Sequence, residues 1–481
     1  MDPVKSYVDD SDVQKHRWWI LTAVGMFTFM STLDGSIVNI ALPVMSRDLR
    51  VPLNQVEWVV SIYLIIICAL LLLFGKIGDS FGKIKVFRWG TSLFILGSLL
   101  AGFNHSLWFL LFARVVQATG ASMTMSTNNG IITEIFPMNE RGKALGLIGS
   151  FVSLGSIAGP GIGGVILAHL PWGYIFWINV PVGILTMIMG HFMLPKDRFF
   201  NKVKIDVPGS FTFGLTIVLF FLGVFLGQEI GFSNWIIIAL WVFSLIGLWR
   251  FIHVERHTEQ PLLPFHIFKN KNFTISLLTA MLIFIVNFFF NVIGPFYLEN
   301  ARGLEPNYAG YILMIFPIVQ VVIAPLAGSI SDKIGPYLLT VIGLIAILIS
   351  QIGYAMTQLT SPLWFFMAMI GVVGLGNGIF QAPNNTIVMS TVETQDLGIA
   401  GGLNALARNM GMIIGISLST TILFAAMSHK AGHHVTTYLT HRPDIFIYGM
   451  HMVFIISSVI CLLTAIVTIN RWRQSSRNLT K

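Results

Sequence analysis

Gly75-Lys76-Ile77-Gly78-Asp79-Ser80-Phe81-Gly82 and Gly328-Ser329-Ile330-Ser331-Asp332-Lys333-Ile334-Gly335 place glycine, aspartate and glycine at one spacing, 253 residues apart. Each octet closes a long apolar run. A bilayer-spanning helix needs about 20 mainly apolar residues, because no water satisfies a bare backbone in hydrocarbon. Working outward from the octets, fourteen such runs are expected, near 18–41, 56–74, 86–103, 108–133, 143–169, 174–194, 208–227, 234–252, 273–298, 308–330, 337–356, 363–390, 399–427 and 448–469. If the octets mark the second and tenth runs, the ninth repeats the first and the fourteenth repeats the sixth. The seventh and eighth are then an inserted hairpin, and the plan is six, two and six. Internal repeats of this kind are the signature of secondary transporters, which hold substrate near the midplane between two bundles.

Composition agrees with a lipid solvent. Of 481 residues 55% are hydrophobic and 10% charged, where a soluble protein averages about 25% charged. A soluble multidomain enzyme is excluded. The runs are long and continuously apolar without period-2 alternation, which excludes barrel strands. Cys68 and Cys461 lie in apolar runs, so no disulfide framework exists. Met1 to Arg17 is polar and leads into a full-length run with no A-x-A-like site, so no cleavable signal is expected.

The net charge of +8 is a question of sidedness. With an inside N-terminus, 22 of the 29 Lys and Arg fall on the inner side and five (Arg47, Arg50, Arg302, Lys430, Arg442) on the outer, while Arg114 and Arg408 lie within runs. Both termini are therefore expected in the cytoplasm, and the basic balance needs no nucleic-acid partner. The expected organisation is a cytoplasmic segment (1–17), a six-helix bundle (18–194), a two-helix hairpin (195–252), a cytoplasmic linker (253–272), a second six-helix bundle (273–470) and a cytoplasmic tail (471–481).

Asp34 is the carboxylate placed deep in a run; Glu57, Glu134 and Glu299 lie near run ends. A charge near the bilayer centre costs roughly 2.5 to 3.5 kcal/mol on insertion scales, which makes such a residue a functional hypothesis by default. Arg114 carries a fixed charge that must find acceptors or water. Snorkelling to the cytoplasmic edge accounts for Arg408, which is left unassigned. Gly155, Gly159, Pro160, Gly161, Gly163 and Gly164 give the fifth run a smooth, bent face suited to close packing. Neutral polar residues (Asn39, Gln117, Asn128, Asn129, Asn287, Asn291, Gln320, Gln381, Asn384, Asn385, Asn404) sit among many Phe and Met side chains. Such a lining suits a broad amphipathic ligand; Asp34, Trp58 and Tyr63 are the expected pocket residues. His429, His433, His434 and His441 precede the last run, but with Asp444 as their sole carboxylate neighbour they read as solvated loop histidines, and no metal is expected. No Gly-x-x-x-x-Gly-Lys-Ser/Thr occurs, so ATP is not expected as a ligand.

At these residues the chain resembles the major facilitator superfamily, and within it the fourteen-helix drug/proton antiporters of the EmrB/QacA type. Leu33-Asp34-Gly35-Ser36-Ile37-Val38-Asn39-Ile40-Ala41-Leu42-Pro43 is similar to the family's helix 1 signature and Gly75 to Lys85 to its loop 2/3 motif. Arg114 to Gly120 is similar to the helix 4 motif, with Ala118 where Gly is usual. Gly155 to Gly164 matches the helix 5 antiporter motif, and Trp172 to Gly183 the helix 6 entry, with Gly173 and Tyr174 replacing Arg-Trp. The resemblance implies Asp34 as the protonation site and a coupling role for Arg114. It also implies that Gly75, Asp79, Gly82, Lys83 and Lys85 form a cytoplasmic latch directed at the start of the thirteenth run, near Ile399 to Gly402.

The expected function is proton-coupled export of amphipathic, often cationic, compounds by alternating access, in a bacterial plasma membrane. The proton gradient supplies the energy, no cofactor is expected, and the unit is a monomer. Export of one defined metabolite, lipid or amino acid is the rival. No nucleophile and base pair emerges in the runs, so an enzyme is not expected.

Overall fold

The computed structural model describes residues 7–103, 106–198, 206–258, 261–263, 265–392, 397–435, 437–439 and 442–479. Lys5, Lys202, Lys204, Lys481 and His441 lie outside the described residues, as do the side chains of Arg141, Lys143 and Arg477.

The described chain is helical. Its long helices are α1 (Ser11–Leu49), α2 (Trp58–Phe81, entered by the turn Leu53–Val56), α3 (Lys83–Ala101), α4 (Leu107–Ile135), α5 (Met138–His169) and α6 (Asn179–Met193, entered by Tyr174–Trp177). They continue with α7 (Val207–Ile230), α8 (Trp235–His257), α9 (Lys271–Phe296), α10 (Ile315–Ile334, entered by Pro306–Leu313), α11 (Pro336–Ala355), α12 (Leu363–Ser390), α13 (Leu397–Ala431) and α14 (Pro443–Leu479). Starts follow local chemistry, since side-chain oxygens satisfy backbone donors that have no partner in a first turn. Ser106 Oγ accepts from Phe109 N at 3.3 Å, Asp206 Oδ1 from Gly209 N at 2.9 Å and Asn234 Oδ1 from Ile236 N at 3.0 Å.

Among the described residues twelve helices are long and apolar enough to cross a membrane, where fourteen spans were expected. The difference lies in α4 and α5. α4 carries Arg114, Gln117, Asn128 and Asn129 with a run of Ser and Thr, and α5 counts only over Ile157–His169, the stretch beyond its last undescribed side chain. Polar side chains lower the apolarity of α4 without shortening it.

The octets close alike. Gly82 (φ 107°) ends α2 and Gly335 (φ 87°) ends α10, a backbone region that side chains disfavour. The next helices repeat as well. A Cβ on Gly90 of α3 would lie 2.7 Å from the Gly120 oxygen of α4, and one on Gly343 of α11 lies 2.7 Å from the Gly376 oxygen of α12.

The chain divides into two compact units whose borders cut across the expected bundles. The first comprises 1–36, 58–156 and 171–264, and the second 37–57, 157–170 and 265–481. The first contains the inserted hairpin α7–α8, where Trp58 of α2 packs on Phe225 at 5.0 Å between ring centroids and Ser244 Oγ donates to the Thr216 oxygen at 3.0 Å. Within it Arg198 pairs with Asp10 and holds that carboxyl below the usual range. Burial pushes the neighbouring Tyr7 hydroxyl up to about 12. The second unit takes in the end of α1 and of α5 because small residues let backbones close there. A Cβ on Gly310 would lie 2.4 Å from the Pro160 oxygen, and one on Gly164 would lie 2.8 Å from the Pro306 oxygen.

Candidate functional site

Within the first unit α3 and α4 approach so closely that a Cβ on Gly97 would lie 2.4 Å from Gln117 N. That approach brings Ser98 and Gln117 together, and Gln117 Nε2 donates to Ser98 Oγ at 2.8 Å and to Asp34 Oδ1 at 2.9 Å. Asn179, at the start of α6, donates to the same Oδ1 at 2.8 Å. Asp34 Oδ2 accepts from Arg114 Nη1 at 2.6 Å, and both side chains are fully buried. Arg114 also donates from Nη1 to Gln117 Oε1 at 2.5 Å and from Nε to the Val59 oxygen at 2.9 Å. Its guanidinium lies 4.1 Å from the centre of the Tyr63 ring and 5.5 Å from that of Phe176. Burying two ions costs several kcal/mol each, and the pair survives only with short contacts and further hydrogen bonds. This cluster supplies them, with aromatic faces covering the cation.

The structure thus brings Asp34, Arg114 and Tyr63 together and places Trp58 elsewhere, against Phe225. Tyr63 packs under the arginine, and its buried hydroxyl has no hydrogen-bond partner among the described residues. Asn179 and Ser98 were missed as site residues. Asn179 stood in the quoted helix 6 motif, and a polar residue opening an apolar run was the available signal. Glu57 was assigned to a run end, and it is wholly buried in the second unit beside Thr420. Glu299, also buried there, has Arg47 at 3.6 Å.

Across the junction at Gly82, Asp79 of α2 pairs with Lys83 of α3 at 2.9 Å, and Lys83 Nζ reaches Glu134 of α4 at 2.5 Å. Asp197, not foreseen, accepts from the backbone N–H of Ile84 at 2.9 Å and of Lys85 at 3.0 Å, capping α3. Gly75 lies 4.0 Å from Ser126 by its absent Cβ, whereas one on Gly82 would lie 2.3 Å from the Asp197 carboxyl. Of the α5 motif, a Cβ on Gly155 would lie 2.6 Å from the Phe29 oxygen, and one on Gly163 would lie 2.7 Å from Ile37. Gly159 is buried.

In the second unit, Asn287 of α9 and Asn377 of α12 exchange hydrogen bonds of 2.7 and 2.9 Å. Asn404 of α13 donates to Asn385 of α12 at 2.9 Å. Asp444 is held by Arg442 at 3.0 Å, and no group of three or more His, Cys, Asp and Glu converges among the described residues.

A family model described as Major Facilitator Superfamily matches residues 24–416. The riboflavin transporter RibZ of Clostridioides difficile is 33% identical over 97% of this chain and 100% of its own length. The multidrug transporter protein MdtP of Bacillus subtilis is 28% identical over 90% of this chain and 79% of its own. A crystal structure of the nucleoside transporter NupG superposes with a TM-score of 0.61, covering 94% of this chain and 99% of that one at 12% identity, a likeness of fold alone.

Proposed function

We propose that this chain, which belongs to the Major Facilitator Superfamily and is a multi-pass transporter of the cell membrane, exports amphipathic molecules from the cytoplasm in exchange for protons. The observation that carries the reading is the buried Asp34–Arg114 pair with Gln117 and Asn179 closed around it. Asp34 has a fixed cation and two amide donors on its carboxylate, so taking up a proton breaks one charged contact and repels nothing. Arg114 keeps Gln117, the Val59 oxygen and the Tyr63 face when that happens. A proton at Asp34 is thereby converted into a rearrangement between α1 and α4.

In this reading α4 and α5 also span the membrane, giving fourteen spans in a six-two-six plan of the EmrB/QacA type. Both termini then lie in the cytoplasm, as the charge asymmetry supports. Gly75, Asp79, Gly82, Lys83 and Lys85 work as the cytoplasmic latch, and the glycines and Pro160 of α5 as the rocking contact. Each proton that moves down 100 mV supplies about 2.3 kcal/mol.

The test is efflux of an amphipathic dye from everted vesicles, wild type against Asp34→Asn. We expect wild type to respond to the pH gradient and the variant to lose at least about tenfold in gradient-driven rate. An unchanged rate in Asp34→Asn overturns the assignment. A second reading, export of one metabolite, is favoured by the flavin transporter among its relatives, which matches over more of the chain than the multidrug transporter does. Transport of riboflavin with no dye efflux decides for it.

A further inference from the structure

Arg408 stands nine residues into the span that opens at Ile399, about 14 Å along the axis at 1.5 Å per residue. It is half-buried, and its Nε is shut from solvent without a hydrogen-bond partner among the described residues. A snorkelling arginine keeps its head hydrated, and here the Nε edge of that head is instead enclosed by protein. No carboxylate pairs with it among the described residues. One turn back on the same face is Asn404, hydrogen-bonded to the exposed Asn385, and Gln381 is one turn from Asn385 on α12. Polar side chains left open within a span do not face hydrocarbon. The strip Gln381–Asn385–Asn404–Arg408 is therefore turned to water or to cargo.

The charges already used point the same way. Asp34 is saturated by Arg114, Gln117 and Asn179, and Glu57 is sealed from solvent. Among the described deep residues no open carboxylate remains to hold a cation, while a guanidinium remains open to an anion. Its planar fork of N–H donors matches a carboxylate, a sulfonate or an ionised imide.

We propose that Arg408 anchors cargo, with Asn404, Asn385 and Gln381 as hydrogen-bonding neighbours, and that the cargo it selects is an organic anion. The proposal rests on the export reading and names its substrate class. It also changes the energetics. One proton inward for one monovalent anion outward moves two charges, so membrane voltage drives export together with the pH gradient.

The experiment measures equilibrium binding to the purified full chain in nanodiscs at neutral pH by fluorescence anisotropy. Two dyes on one xanthene frame are compared, fluorescein as the anion and pyronin Y as the cation. Wild type is expected to favour fluorescein. Arg408→Gln should weaken fluorescein about tenfold or more, the scale of a lost charged hydrogen bond, and leave pyronin Y unweakened. Arg408→Lys, which keeps the charge without the fork, should fall between, and it carries the test if the Gln variant does not fold. Fluorescein affinity within about twofold of wild type in Arg408→Gln overturns the proposal. So does equal weakening of both dyes, which marks a structural role, or a wild type that does not bind fluorescein. No gradient is present, so failure of the Asp34 assignment in the efflux assay leaves this result standing.

Discussion

Asp34 of α1 and Asn287 of α9 stand 253 residues apart, the same offset as the two octets, and the two units treat them differently. Asp34 is an ion paired with Arg114 of α4 and wrapped by two amides. Asn287 is neutral and trades two hydrogen bonds with Asn377 of α12. One position in the repeat thus carries a charge that a proton can cancel, and its counterpart carries an amide that a proton cannot. A neutral clamp in the other half holds helices without responding to pH, and Arg408 there has no carboxylate partner among the described residues.

The comparison is broken most severely by removing the cation. Arg114→Ala leaves the buried Asp34 without its counter-ion and is expected to cost about 3–5 kcal/mol, seen as a large fall in melting temperature in detergent. A variant as stable as wild type would mean that water enters the cluster and that the pair is not structural. The second unit is expected to respond less. Asn287→Ala leaves Asn377 Oδ1 without its donor, while Nδ2 keeps the Val373 oxygen, at about 1–3 kcal/mol, with the pH dependence of efflux unchanged. A shifted pH profile there would place proton sensing in both halves and end the asymmetry.

The smallest effect compares the turns. Gly82 and Gly335 share a positive φ, so Ala at either is strained by about 1–3 kcal/mol. A Cβ on Gly82 also meets the Asp197 carboxyl at 2.3 Å, whereas nothing lies within 4 Å of one on Gly335. Gly82→Ala should therefore destabilise more than Gly335→Ala and loosen the cap on α3. Equal melting temperatures would show that Asp197 moves aside at no cost.

The fold was widely legible. Continuous apolar runs leave few options in lipid, and Gly82 and Gly335 announced matching breaks before their conformations were known. Asp34, Arg114 and Gln117 were legible because polar atoms inside apolar runs are expensive. Asn179, Ser98 and Asp197 were not singled out, since they sit at helix ends or are small, where polar residues are ordinary. Trp58, expected beside Tyr63 in a pocket, packs on Phe225 of the hairpin, a placement that spacing along the chain does not encode.

By itself the sequence determined a helical membrane transporter with an internal repeat, because hydrophobic length and residue spacing act locally and need no partner. Only the tertiary structure decided which charges are paid off. Asp34 meets Arg114 80 residues away and Asn179 145 residues away, and Arg408 meets no carboxylate among the described residues. Pairing depends on distance through space, which falls off within a few ångströms and which spacing along the chain does not encode.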